Sequence, residues 1–133
     1  MEKSFERNYG SLPQVFAFLD EFFAGEGIDG RRNPVIALAI EELFTNMVKY
    51  GRGSGQDISI ALDRHAAQVS VTLTDFDVEP FDVTRLPEVP VDRPLNERKP
   101  GGLGIHLVRK MVDSIEYDYC DRTGRTTFMK ALE

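Results

Sequence analysis

Glu42 and Asn46 stand four residues apart in a largely apolar run between Asn33 and Gly51. On a helix that spacing stacks both side chains on one face. The pair joins a carboxylate able to take a proton from water or a hydroxyl to an amide oxygen suited to a hard cation such as Mg²⁺. A third group, Asp75, ends the alternating run Gln68-Val69-Ser70-Val71-Thr72-Leu73-Thr74-Asp75, on the same face as Val69, Val71 and Leu73. A fourth is the turn Lys99-Pro100-Gly101-Gly102-Leu103-Gly104, which opens directly into helical spacing. Such a turn points free N–H groups and the positive end of a helix dipole outward, an arrangement that suits phosphate. Each feature also has a plainer account: a half-exposed polar pair, a carboxylate capping a turn, and a glycine-rich connection.

The elements that must hold these groups follow from the pattern around them. Asn33 and Pro34 start a helix that runs to about Tyr50, with an apolar stripe of Ile36, Ile40, Leu43, Met47 and Tyr50. Glu41 points away from that stripe, whereas Glu42 and Asn46 lie at its margin beside Val35 and Ala39. Earlier, residues 2–8 alternate weakly as an edge strand. Ser11 and Pro13 then start a helix whose Val15, Phe16, Phe18, Leu19, Phe22 and Phe23 face a core or an interface, ending near Gly25 and Gly27. Residues 57–62 and 68–75 read as a hairpin around the link 63–67. Residues 114–120 and 126–132 form a second hairpin, with a turn at Thr123-Gly124. After the glycine turn, Leu103, Leu107, Val108 and Met111 recur at helical spacing. Between Asp77 and Pro100 periodicity disappears among five prolines and many charges; a loop of that length reads either as solvated or as a lid over an anion, with Arg98-Lys99 beside the glycines.

Composition bounds the rest. A chain of 133 residues is about one domain, and 41% hydrophobic with 29% charged residues is ordinary for a globular protein. The net charge of −6 argues against generic nucleic-acid binding. No apolar run is long enough to span a membrane, and no apolar signal core follows Met1. The lone Cys120 has no partner for an internal disulfide, which points to a reducing cytoplasm.

The order of the motifs resembles the GHKL ATPase superfamily, most closely its small stand-alone branch of anti-sigma factors that act as serine protein kinases. Residues 42–51, Glu-Leu-Phe-Thr-Asn-Met-Val-Lys-Tyr-Gly, match the family's N-box. Pro80-Phe81-Asp82 matches the segment after its first glycine box, and Asn96 to Leu107 is close to its second glycine box. Gly124-Arg125-Thr126-Thr127-Phe128 fits the closing hairpin. The resemblance implies a Bergerat-type ATP-binding fold over residues 1–133: a two-layer α/β sandwich with a mixed, mostly antiparallel sheet, helices on one face, and a lid at about 77–100. It implies roles as well. Glu42 would be the general base, and Asn46 would hold Mg²⁺. Asp75 would accept from the adenine amino group, supported by Thr126. Gly101, Gly102, Leu103 and Gly104 would bind the phosphates of ATP, with Lys49 and Arg98 as further candidates.

The implied function is phosphorylation of a serine or threonine on a small anti-sigma-factor antagonist, coupled to sigma-factor binding by a homodimer. The family usually reads Asp-x-Gly after the strand; this chain has Asp75-Phe76-Asp77. Alignment on Pro80-Phe81-Asp82 would bring Asp77 to the adenine position, whereas the strand alternation favours Asp75. The altered box supports an alternative, a nucleotide-responsive module that sequesters a partner without phosphotransfer. A histidine kinase fits less well, since no helical segment with a phosphoacceptor histidine precedes the domain, and a gyrase- or chaperone-type ATPase needs further domains.

Overall fold

The computed structural model describes residues 1–85 and 102–133. Five strands, β1 (Glu2–Phe5), β2 (Ile58–His65), β3 (Gln68–Phe76), β4 (Ser114–Cys120) and β5 (Thr123–Ala131), form one sheet in the order β1-β2-β3-β5-β4. Every pairing among the described residues is antiparallel, the antiparallel end of the mixed, mostly antiparallel sheet expected. Helices α1 (Leu12–Glu26), α2 (Pro34–Tyr50) and α3 (Gly102–Met111) make the second layer.

Period-two alternation decides which sheet face the helices cover. Ile58, Ile60 and Leu62 of β2, Val69, Val71 and Leu73 of β3 and Phe128 of β5 are all fully buried. Intervening residues carry hydroxyls to the other face, where Thr72 and Thr127 pair across strands at 3.0 Å. Onto the apolar face α1 sets Val15, Phe18, Leu19, Phe22 and Phe23, and α2 sets Ile36, Ala39, Ile40, Leu43, Phe44 and Met47. Burying a side chain the size of Leu43 or Phe44 contributes about 2 kcal/mol. Gly27 stops α1 in the left-handed conformation at φ 67°, which glycine adopts without a Cβ penalty.

Several local expectations shift. Asn33 stands before α2, but its side chain does not cap the helix. It donates to the Asp29 carbonyl at 2.8 Å and accepts from the Glu133 N–H at 2.8 Å. Tyr50 is 48% exposed instead of core-facing, because α2 outruns the sheet at that end. On α3 the buried stripe is Ile105, Val108 and Val112, while Leu107 and Met111 remain exposed. Both sets recur at helical spacing, and the approach of α3 to α2 selects between them. The first hairpin turns tightly at Ala66-Ala67, with Ala66 at φ 57°. In the second, Asp121 and Arg122 make the turn at φ 50° and 59°, as a two-residue type I′ loop demands, and Thr123-Gly124 belongs to β5. Among the described residues no helix is long and apolar enough to cross a membrane.

Candidate functional site

One face of α2 carries Glu42, Asn46 and Tyr50 at four-residue spacing, and the site is laid out along it. Asn46 and Tyr50 line a cavity with Asp75 at the end of β3, Gly124 and Thr126 on β5, and Tyr117 on β4. Val78, Glu79, Phe81 and Val83 from the segment after β3 complete the wall. Strand register produces this grouping: Asp75 lies opposite Gly124, and Leu73 opposite Thr126, which in turn faces Tyr117. A Cβ on Gly124 would stand 3.2 Å from the Tyr117 hydroxyl, so glycine there leaves room for the ring.

One helical turn earlier, Glu42 reaches the start of α3. A Cβ built on Gly104 would overlap its Oε2, so the carboxylate occupies a cradle that only glycine leaves open. Burial is the main cause of a raised Glu42 pKa, and the neighbouring Glu41 charge adds to it. That shift suits proton acceptance from a weakly acidic hydroxyl. Because the obstructing atom is the far end of a flexible side chain, Gly104→Ala is expected to fold with little loss of stability. Its Cβ should instead displace Glu42, visible by NMR as a shifted carboxyl resonance of Glu42 against a nearly unchanged melting temperature.

Asp75 is the buried charge of the cavity. Its Oδ1 lies 2.5 Å from Arg7 Nη2 without an aligned hydrogen bond, and both side chains are almost wholly enclosed. Burial raises the Asp75 pKa, and the Arg7 guanidinium opposes that rise. Arg7 also donates from Nη1 to the Met47 carbonyl at 3.1 Å and from Nε to the Gln56 carbonyl at 3.2 Å. Nη2 reaches Ser54 Oγ at 3.3 Å and the Phe76 carbonyl at 3.5 Å. Sequence reasoning passed over Arg7. β1 ends at Phe5, so no strand period fixes where Arg7 points, and the sequence marks it only as a cation two residues after a buried phenylalanine.

The altered glycine box is accommodated locally. Asp77 takes the left-handed conformation at φ 56°, open to aspartate at modest strain. Its carboxylate turns away from Asp75 to meet Arg122 Nε at 2.9 Å, while Glu79 meets Arg122 Nη1 at 3.0 Å. Asp75 therefore lines the cavity and Asp77 faces solvent. The following segment is fastened to the β4–β5 hairpin. Val78 N–H donates to the Arg122 carbonyl, the Tyr119 hydroxyl donates to the Val78 carbonyl at 2.6 Å, and Phe81 N–H donates to the Tyr117 hydroxyl at 3.0 Å. Phe81 stacks on Tyr50 with ring centroids 4.6 Å apart, and Lys49 Nζ lies 5.3 Å from the Tyr50 ring at the rim. The enclosed space is only about 30 Å³, room for ordered water.

The structure thus brings Asn46, Asp75 and Thr126 to one cavity, Glu42 to Gly104, and Lys49 to the rim. Gly102 and Leu103 open α3. Arg98 and Gly101 lie outside the described residues. Two features fit a nucleotide with its cation. A buried carboxylate, Asp75, lines the cavity, and the Gly104 cradle lets a helix start approach the carboxylate of α2.

Residues 5–131 match the family described as histidine kinase-like ATPase domain. Over 85 residues the chain is 26% identical to the serine-protein kinase RsbW of Halalkalibacterium halodurans, covering 61% of this chain and 52% of that one. It therefore spans about half the length of that curated relative. The solved RsbU and RsbW domains of Rv1364c from Mycobacterium tuberculosis superpose with a TM-score of 0.70 at 16% identity, over 99% of this chain and 32% of that one. The Acinetobacter baumannii histidine kinase AdeS gives 0.51 at 13% identity, over 100% and 68% respectively. Those two likenesses speak to the fold. With the family match running over residues 5–131, this chain belongs to the histidine kinase-like ATPase domain family.

Proposed function

We propose that this protein is a Mg-ATP-dependent serine/threonine protein kinase that phosphorylates a small anti-sigma-factor antagonist and, as a cytoplasmic homodimer, binds a sigma factor. The observation that carries the reading is the Glu42 carboxylate seated against Gly104, in line along α2 with Asn46 and the cavity of Asp75. On this reading Asp75, with Thr126 beside it, accepts from the exocyclic amine of adenine. Asn46 holds the magnesium ion, which when bound neutralises phosphate charge. Gly101, Gly102, Leu103 and Gly104 supply backbone donors to the phosphates, with Lys49 and Arg98 adding charge.

In the transfer step the partner's hydroxyl oxygen forms a bond to the γ-phosphorus as the bond to the β–γ bridging oxygen breaks. Glu42 receives the hydroxyl proton, and ADP carries away the bridging oxygen. Most of the rate comes from positioning and charge neutralisation, as in other phosphoryl transfers.

A second reading has one observation behind it. The space between Asn46, Asp75 and the Phe81–Tyr50 stack is only about 30 Å³, which fits a module that binds its partner and uses nucleotide only as a signal. Incubation with γ-labelled ATP, Mg²⁺ and a candidate antagonist protein separates the two. Label on a partner serine or threonine that disappears with Glu42→Ala is the expected result. Saturable ATP binding without label supports the module, and absence of ATP binding by calorimetry removes both.

A further inference from the structure

Arg7 is bound on several sides and contributes little to the surface. Only 7% of its side chain is exposed, and its guanidinium ties together the C-terminal end of α2, the 51–57 turn and the end of β3. Gly51 is part of the same construction, since a Cβ there would collide with Nη1. The carbonyls of Met47, Gln56 and Phe76 need only neutral donors. A full positive charge is required by one neighbour, Asp75, and that neighbour is the only charged group that β3 turns into the cavity wall.

We propose that Arg7 is a specificity-determining positioning residue: it holds Asp75 as an acceptor-only carboxylate, so the base end of the site takes an amino-bearing purine edge and refuses a carbonyl-bearing one. The inference rests on the ATP reading above and deepens it. An ionised carboxylate offers acceptor sites and no donor, whereas a protonated one gains an O–H donor. A 6-amino purine presents a donor to that position, and a 6-oxo purine presents an acceptor, which meets a buried carboxylate as two unpaired acceptors. Discrimination of this kind is strong because the rejected ligand leaves buried polar groups unsatisfied. Other titratable groups along the wall do not replace Arg7. Tyr50 from α2 and Tyr117 from β4 are neutral phenols, Glu79 after β3 is an anion engaged with Arg122, and β5 contributes only Gly124 and Thr126.

Binding of ATP and of GTP to the folded protein, measured by calorimetry on the parent, Arg7→Gln and Arg7→Lys, tests this. The titration of Asp75 is followed in parallel by carboxyl-carbon NMR. The parent is expected to prefer ATP. Arg7→Gln should narrow the ATP-to-GTP ratio by about tenfold or more and move the Asp75 midpoint upward by about one pH unit or more. Arg7→Lys, which keeps the charge but not the fork of donors, should restore both. Should Arg7→Gln fail to fold, Arg7→Lys decides: a midpoint moved up by about a full unit, or a lost ATP preference, overturns the proposal. So does a folded Arg7→Gln with an unchanged ratio and midpoint, which would make Arg7 a structural strut. If the parent binds neither triphosphate, the ATP reading falls by itself, and the Asp75 midpoints still uphold or reject the role of Arg7.

Discussion

Replacing Glu42 with glutamine is expected to lower phosphotransfer at least about 100-fold while leaving ATP binding in place. Glutamine fills the same volume against Gly104, so the cradle is preserved and only the proton acceptor is lost. The same substitution should raise thermal stability at neutral pH. Burial lifts the Glu42 pKa above that of an unfolded glutamate, with the Glu41 charge adding to the shift. The folded state therefore holds its proton to higher pH than the unfolded chain does. Stability associated with this group is greatest below the ordinary glutamate pKa and declines as pH rises through the elevated folded value. Glu42→Gln escapes that decline, so its melting temperature should exceed the parent's at pH 7, and the gap should close near pH 4. Labelled phosphotransfer and paired melting curves at the two pH values check both halves. A variant retaining more than a tenth of parental transfer would remove Glu42 from the role of base.

The second large effect concerns the buried pair of Arg7 and Asp75. Removing one member of such a pair strands the other, which typically costs about 3–5 kcal/mol. Arg7→Met should therefore lower unfolding free energy by about that much at pH 7, read from urea denaturation. The loss should shrink in acid. Without Arg7 nothing opposes the burial that raises the Asp75 pKa, so as pH falls the carboxyl takes up a proton and the stranded charge is gone. The double variant Arg7→Met/Asp75→Leu should recover part of the loss, because two apolar groups can replace a buried pair with little penalty. Recovery should stop short by about 1 kcal/mol, since the Met47 carbonyl keeps only the Gly51 N–H and the Gln56 carbonyl loses Arg7 Nε. A single-variant cost below about 1 kcal/mol would show that the pair behaves like an exposed one.

Enclosure of the cavity bears on both experiments. Phe81 on Tyr50, with the Tyr117 and Tyr119 hydroxyls fastening the segment after β3, leaves room for water alone. On the ATP reading, a purine is accommodated by movement of that segment. Among the described residues three hydrogen bonds fasten it, and its Val83 packs into the buried core with Phe81 against it.

The sequence by itself determined the elements and their chemistry. Helical spacing placed Glu42 and Asn46 on one face, strand alternation turned Asp75 inward, and the glycines before Ile105 marked the start of a helix. These are local matters, set by periods of 3.6 and 2 and by glycine's freedom. Tertiary structure alone decided what depends on approach and register. α3 buries Ile105, Val108 and Val112 instead of Leu107 and Met111, because a helix with apolar residues on two stripes is oriented only by what it packs against. Asn33 joins Glu133 across 100 positions instead of capping α2. Asp77, in place of the expected glycine, is tolerated because Arg122 is brought to it by the turn of a different hairpin. Arg7 finds Asp75 across 68 positions for a related reason. A buried charge is satisfied by whichever opposite charge the folded backbone brings near, and no local pattern records which one that will be.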